Sequence, residues 1–207
     1  MIQPITVRNL TIGSGIPKII VPIVEDTSEG VENAGALFVA NDAQAIEWRV
    51  DFFKRVLEPE AFLTTLQRLR EILGETPLLV SFRTKKEGGE REITPGDYLA
   101  LCEMAAKGGA DMVDVEILSG DKLVTSCIKA VHDAGALVVA SNHDFHATPK
   151  KAELIRRLRK MQKMGADILK IAVMPTSTAD VLTLLSATDE MAQKYADKPL
   201  ITMSMSP

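Results

Sequence analysis

Seven apolar runs of strand length, separated by stretches long enough for an amphipathic helix, constrain this chain more than any other feature. The runs fall at 18–24, 45–53, 77–82, 112–117, 137–141, 168–174 and 199–205. Helix ends between them are legible: Pro59 fits the first turn of Pro59–Leu73 with Gly74 beyond its end. Thr94-Pro95-Gly96-Asp97 supplies a cap, a first-turn proline and an acidic third position for a helix that stops at Gly108-Gly109. Thr148-Pro149 is expected to open a later helix closed by Gly165, and Ser177 or Thr178 to cap the one after. Each strand–helix unit spans roughly thirty residues, enough for a right-handed crossover to a parallel neighbour. Ahead of the first run, a short hairpin is expected at about 5–13. No linker or low-complexity stretch divides the 207 residues, and 46% hydrophobic residues suffice for one sizeable core, so 1–207 reads as one domain.

Periodicity does not separate a barrel from an open sheet, because both bury parallel strands on both faces. The placement of polar residues does. Glu47 and Arg49 lie in the second run, Arg83 follows the third, Asp114 and Glu116 lie in the fourth, His143 follows the fifth, and Lys170 sits in the sixth. An open doubly wound sheet gathers its chemistry at one switch point, whereas a barrel brings every strand's C-terminal end to one mouth. Polar residues spread over five successive strands therefore point to a (β/α)8-type barrel. Neither a G-x-G-x-x-G nor a phosphate-binding loop follows the first strand. Strand alternation then assigns Glu47/Arg49, Ser141/His143, Lys170/Ala172 and Met203/Met205 to the interior. A Glu47–Arg49 pair could also merely neutralise itself, and Asp114 and Glu116 suit scaffolding of the mouth as well as direct chemistry.

A lysine among Ile168, Leu169, Ile171, Ala172 and Val173 is costly unless its charge is lost or compensated, and desolvation favours the neutral, nucleophilic amine. Beside an imidazole, such an amine is equipped for imine chemistry on a ketone. On this pair alone the plainer account carries slightly more weight: a lysine snorkelling from a strand end and a histidine satisfied in a turn. His143-Asp144-x-His146 makes a poor metal cluster, because adjacent strand residues point to opposite faces and no cysteine joins them. The basic run Lys150, Lys151, Arg156, Arg157, Arg159, Lys160 and Lys163 interleaves with apolar residues at helical spacing and reads as a solvated outer face. Net charge of −4 and a pI near 5.5 argue against general nucleic-acid binding. No apolar run approaches membrane-spanning length, and Cys102 and Cys127 lack metal-ligand spacing, so a reducing cytoplasmic setting is expected.

Several blocks resemble the type I 3-dehydroquinate dehydratase family. They are Glu47-Trp48-Arg49-Val50-Asp51, Phe82-Arg83, Glu87-Gly88-Gly89-Glu90, Ser141-Asn142-His143-Asp144-Phe145-His146-Ala147-Thr148-Pro149, Lys170-Ile171-Ala172-Val173-Met174-Pro175 and Ile201-Thr202-Met203-Ser204-Met205, in the family's order along essentially the whole chain. The resemblance implies a barrel lyase of the shikimate pathway that dehydrates 3-dehydroquinate through a Schiff base on Lys170. It implies no metal or organic cofactor, and a homodimer. It makes His143 the proton-transfer group, Glu87 the residue that positions or tunes it, Glu47, Arg49 and Arg83 the substrate contacts, and Met203, Met205 and Phe145 an apolar wall. It further implies an eighth strand and final helices beyond position 207, carrying a substrate-binding arginine and a closing loop. Pro22 stands where many relatives have serine or threonine. Two other activities fit the residues more loosely: a Schiff-base aldolase on another barrel, and a silent barrel that binds a metabolite or partner chain.

Overall fold

The computed structural model describes residues 1–205. An antiparallel hairpin, β1 (Ile5–Val7) and β2 (Leu10–Ile12), pairs Ile5 with Ile12 and Val7 with Leu10. Strand–helix units follow: β3 (Ile20–Ile23), α1 (Ser28–Ala40), β4 (Ala45–Arg49), α2 (Pro59–Leu73), β5 (Leu78–Ser81), a 3-10 turn (Lys85–Glu87), α3 (Pro95–Lys107), β6 (Met112–Glu116), α4 (Asp121–Asp133), β7 (Leu137–Asp144), α5 (Lys151–Lys163), β8 (Ile168–Val173), α6 (Thr178–Lys194) and β9 (Leu200–Ser204). The seven strands β3 to β9 form one parallel sheet in chain order. That order, with a helix between each strand and the next, is what consecutive right-handed crossovers produce.

The sheet is strongly curled. Lys170 on β8 and Glu47 on β4 are four strands apart, yet Nζ lies 3.5 Å from Oε1. A flat sheet would hold their backbones roughly 19 Å apart at ~4.8 Å per strand. Curling creates two apolar layers. Outward-facing Ile46, Trp48, Val80, Val115, Val138, Leu169 and Ile171 pack against the helices. Inward-facing Leu79, Met112, Val139 and Ile168 fill the bottom of the bowl, where Val7 of the hairpin joins them and Ile5, Ile12, Ile20 and Ile201 pack alongside. The hairpin is tied down by Arg8, whose Nε lies 2.6 Å from Asp111 Oδ1, and by Gln3 N donating to Asp197 O at 2.9 Å.

Several elements differ from the sequence expectation for identifiable reasons. The fifth strand does not stop at Ser141 but runs to Asp144, because β8 offers partners for Asn142, His143 and Asp144 in Ile171, Ala172 and Val173. His143 is therefore held inside a ladder. The second strand ends at Arg49, and Val50–Phe53 turns back with Phe53 N bonded to Val50 O, which buries Phe53 against Trp48. Helix α5 begins at Lys151 with Lys150 as its cap, two residues later than Thr148-Pro149 suggested, because the Thr148 hydroxyl donates to Met174 O instead of capping. Strands β3 and β9 are not paired with each other among the described residues. Pro22, whose missing N–H would cost a bond in a central strand, lies on the edge strand β3 opposite Glu47.

Trp48 braces β4 from behind, between the two interior residues Glu47 and Arg49. It stacks on Phe62 of α2 with ring centroids 5.3 Å apart and a 9° interplanar angle. Phe62→Ala is expected to destabilise the chain by about 3–5 kcal/mol in urea unfolding, the cost of an aromatic-sized core cavity, whereas Arg55→Ala, which breaks an exposed pair with Glu58, should leave the urea midpoint nearly unchanged.

Candidate active site

The strand ends meet above the apolar bottom layer. Lys170 faces inward from the middle of β8, paired in register with Ser141 of β7 and Ile201 of β9. Only 7% of it is exposed, and Glu47 is its partner across the bowl. A separation of 3.5 Å makes this an electrostatic pairing more than a firm hydrogen bond. His143 lies one inward position further along β7, opposite Ala172, so Lys170 and His143 are diagonal neighbours on one face.

Arg83, just beyond β5, is buried at the centre. Its Nη1 donates to Glu116 Oε1 at 2.8 Å, Asp114 Oδ1 at 3.1 Å and Ser141 Oγ at 3.1 Å, and its Nη2 donates to Asp114 Oδ2 at 3.0 Å. Ser141 Oγ in turn donates to Asp114 Oδ1 at 2.7 Å. Burial works against the Asp114 carboxylate, but Arg83 and Lys170 outweigh it and hold Asp114 at about 2. Arg83, also penalised by burial, is raised by Asp114 and Glu116 and keeps its charge. Asp114 and Glu116 thus scaffold the mouth through Arg83. Arg49 differs: Nε and Nη2 hold Asp51 at 2.8 Å each, and among the described residues Nη1 makes no hydrogen bond.

Glu87 reaches the site on a short loop whose glycines have steric reasons. Gly88 adopts a left-handed conformation (φ 85°), and a Cβ there would lie 2.3 Å from the Phe145 ring. A Cβ on Gly89 would lie 1.9 Å from Arg83 O, so this backbone approach admits only glycine. Glu116 anchors the loop by accepting from Thr84 N and Oγ1 at 2.9 and 2.6 Å. Asp51 anchors it from the other side, accepting from Arg83 N and Glu90 N at 3.2 Å each. So held, Glu87 Oε1 accepts from Asn142 Nδ2 at 2.9 Å, and Oε2 accepts from His143 N at 2.8 Å and lies 3.1 Å from His143 Nδ1. Burial, then Glu116, push Glu87 up to about 8, while the facing N–H donors and Arg83 pull it back. Burial, then Arg83, drive His143 down to about 2, so its imidazole is neutral at neutral pH.

Met203 shares the inward face of Ala172 but is 47% exposed, because it lies on the edge strand β9; Met205 follows it, half-buried. Phe145 is 42% exposed, and its ring lies over Gly88. Four residues outside the expected set join the site's support: Asp51, Asn142, Tyr98, whose Oη accepts from Glu116 N at 3.0 Å, and Arg157, whose Nη1 donates to Asn142 Oδ1 at 2.7 Å. The strand parity that turned His143 inward could have flagged Asn142 as facing the outer layer; nothing in the chain's local pattern distinguishes Arg157 from its solvated neighbours. A cavity of about 540 Å³ lies beside the Glu87 loop, with Glu87, Tyr98, Glu116, Asn142, His143 and Phe145 on its wall, while Lys170 and Glu47 are not. Among the described residues no group of three His, Cys, Asp or Glu side chains could hold a metal ion, and no helix is long and apolar enough to cross a membrane.

A curled parallel sheet whose strand ends gather a buried lysine, a neutral histidine and facing carboxylates has the ground plan of an α/β-barrel enzyme. The family model described as type I 3-dehydroquinase matches residues 19–207, and the chain belongs to that family. It is 48% identical over 205 residues to a 3-dehydroquinate dehydratase of Salmonella paratyphi B, covering 99% of this chain and 81% of that protein. Its fold matches a type I 3-dehydroquinate dehydratase of Clostridium difficile, solved with covalent modified comenic acid, at a TM-score of 0.97 and 42% identity, covering 99% of this chain and 81% of that one. The enzyme of Enterococcus faecalis matches at 0.95 and 43%, covering 98% and 85%.

Because Glu87 titrates higher in the folded protein than its ordinary 4.5, the folded state retains a proton that the unfolded chain releases. That contribution is complete below 4.5 and is lost as the pH rises through about 8. The midpoint of thermal unfolding should therefore decline as the pH is raised from 4.5 to about 8, and Glu87→Gln should flatten that slope in calorimetry.

Proposed function

We propose that this chain dehydrates 3-dehydroquinate to 3-dehydroshikimate, the hydro-lyase reaction for which its relatives are named, through an imine on Lys170. The observation that supports the mechanism best is the diagonal placement of Lys170 and His143 on the inward face of adjacent strands, one buried amine and one neutral imidazole. The amine attacks the C3 ketone to give a carbinolamine, and loss of water yields a protonated imine. That cation draws electron density from C2, whose proton passes to His143. The resulting enamine expels the C1 hydroxyl, which leaves as water on receiving a proton from the imidazolium. A second water hydrolyses the imine, frees the product and restores Lys170. One water is lost overall, and one imidazole serves both proton transfers.

Glu47, opposite Lys170, would accept hydrogen bonds from ring hydroxyls once the amine is committed to the imine. Arg49 has the guanidinium edge free to meet substrate oxygens, while Arg83, whose Nη1 and Nη2 are engaged by Asp114, Glu116 and Ser141, contributes chiefly by holding those groups in place. Glu87 acts on His143 through Nδ1. Met203, Met205 and Phe145 would complete an apolar wall. The reaction as written needs no metal or organic cofactor. Free buried thiols at Cys102 and Cys127 suit a reducing cytoplasm, and the family resemblance suggests a homodimer.

Borohydride added with 3-dehydroquinate is expected to trap an adduct that peptide mapping assigns to Lys170; an adduct on another lysine would overturn the assignment. His143→Ala should still be trapped while losing about 10²–10⁴-fold in turnover, the usual share of a general acid–base group.

We also infer that the gap between β3 and β9 takes an eighth strand. Both edges lack a partner among the described residues, Ile19, Val24 and Met203 nearby are exposed, and the curated relatives are longer than the matched span. Residues 1–207 alone should show fast amide exchange along β3 and β9 and feeble turnover, whereas a polypeptide extended by one further strand–helix unit should show both edges protected. Slow exchange at both edges in the 207-residue chain as a monomer would refute the inference.

A further inference from the structure

We propose that Asn142 and Arg157 are positioning residues for proton transfer: Arg157 fixes which way the Asn142 amide points, and the amide fixes the Glu87 carboxylate against His143 Nδ1. The inference rests on the reading of His143 as the group that moves protons.

Arg157 belongs to the basic face of α5 but behaves unlike its neighbours. Its side chain is 15% exposed, against 61% for Arg156. It turns inward over the end of β7, held by Glu153, which accepts from its Nε at 2.7 Å, with Asp144 Oδ2 3.8 Å away. Its Nη1 meets Asn142 Oδ1 at 2.7 Å. A guanidinium carries only donors, so the amide atom facing it must be the oxygen. The amide nitrogen is then obliged to face Glu87 Oε1, at 2.9 Å. An NH2 group carries only donors as well, so Oε1 must accept. The backbone N–H of His143 makes Oε2 an acceptor at 2.8 Å. Each step follows from donor and acceptor identity.

This polarity reaches the imidazole. With both Glu87 oxygens accepting, the donors around it match the carboxylate, the form that prevails above about pH 8, and a carboxylate 3.1 Å from Nδ1 calls for the proton to sit on Nδ1. Nε2 is then left with its lone pair, as a base requires. Asn142 and His143 point to opposite faces of β7, and Glu87 touches both because its loop crosses the strand end. A residue in the outer helical layer thereby sets the tautomer of one facing the interior.

Removal of Arg157 frees the amide to turn and present Oδ1 to Oε1. Two acceptors can meet only if Glu87 takes a proton between them, which burial already favours. The other charged groups around Glu87 and His143 are Arg83, Glu116, Asp114, Lys170, Arg49 and Asp144, together with Lys85 and Lys86 of the same turn. None of them contacts the Asn142 amide, so none can restore its direction.

The test is 15N NMR of histidine-labelled protein across pH, with the pH dependence of kcat and KM, for wild type, Arg157→Met, Arg157→Lys and Asn142→Asp. Wild type should show the Nδ1–H tautomer of His143 above about pH 8, where Glu87 is a carboxylate. Arg157→Met should lose that preference, lower kcat about tenfold with KM little changed, and move the acid limb of kcat to higher pH; tenfold corresponds to one charge-assisted hydrogen bond. Arg157→Lys, which keeps a donor, should recover most of the tautomer signal and of kcat. Asn142→Asp keeps the contact to Arg157 but sets a carboxylate against Glu87, so its acid limb should move further up, and it carries the test if Arg157→Met does not fold. An unchanged tautomer and an unchanged acid limb in Arg157→Met, or in Asn142→Asp, would overturn the inference. Borohydride trapping on wild type separates the two readings: an adduct on Lys170 with a tautomer indifferent to Arg157 refutes only this inference, whereas no Lys170 adduct refutes the imine mechanism while the NMR still judges the hydrogen-bond chain.

Discussion

The mouth of this molecule is organised by one buried guanidinium. Arg83 could not remain charged away from water unless anions surrounded it, and Asp114, Glu116 and the Ser141 hydroxyl do so from β6 and β7. The consequences spread through shared partners. Glu116, held by Arg83, also takes the backbone and hydroxyl of Thr84 and so starts the loop that delivers Glu87. Asp114 lies close enough to Lys170 to be stabilised by it as well as by Arg83. Removing the guanidinium would leave two carboxylates buried and unpaired, a change on the order of 3–5 kcal/mol. It would also loosen each element that carries a proposed catalytic group.

The electrostatics that result are divided. Carboxylates crowd the mouth, with Glu47, Asp51, Glu87, Asp114 and Glu116 all buried around Arg83 and Lys170 and the half-buried Arg49. Asp114, in contact with Arg83, is held at about 2. Burial raises Glu116 despite its contact with Arg83, and pushes Glu87, whose nearest cation is Arg83 at 3.9 Å, up to about 8. The same burial keeps His143 unprotonated. A neutral imidazole beside a carboxyl that can hold or release a proton is therefore chiefly a product of burial, with Arg83 acting on both groups.

The layers explain how the outside of the protein can act on the inside. Inward and outward residues alternate along β7, so Ser141 and His143 look into the bowl while Asn142 and Asp144 look toward α5. Glu87 touches Asn142 and His143 alike because it comes over the end of the strand. The apolar bottom layer, closed by the hairpin through Val7, keeps this polar region at one end only.

Much of this was determined locally and was legible in the chain. Strand and helix positions follow from apolar run lengths and caps such as Pro59, Thr94 and Ser177, because these depend on nearest neighbours along the sequence. The inward direction of Lys170 and His143 follows from alternation alone. Other properties depended on which side chains meet across the sheet. Arg83 and Arg49 look equivalent as substrate contacts in the sequence, yet the fold engages Nη1 and Nη2 of one with Asp114, Glu116 and Ser141 and leaves Nη1 of the other without a hydrogen bond among the described residues. Arg157 looks like any cation on a wet helix face, and only the packing of α5 over β7 turns it toward Asn142. Met203 alternates as an interior residue should, but its place on an edge strand leaves it half in solvent. The sequence by itself determined which face each side chain takes; the tertiary structure alone decided its partner and its exposure, because hydrogen bonds and burial are made with residues from distant parts of the chain.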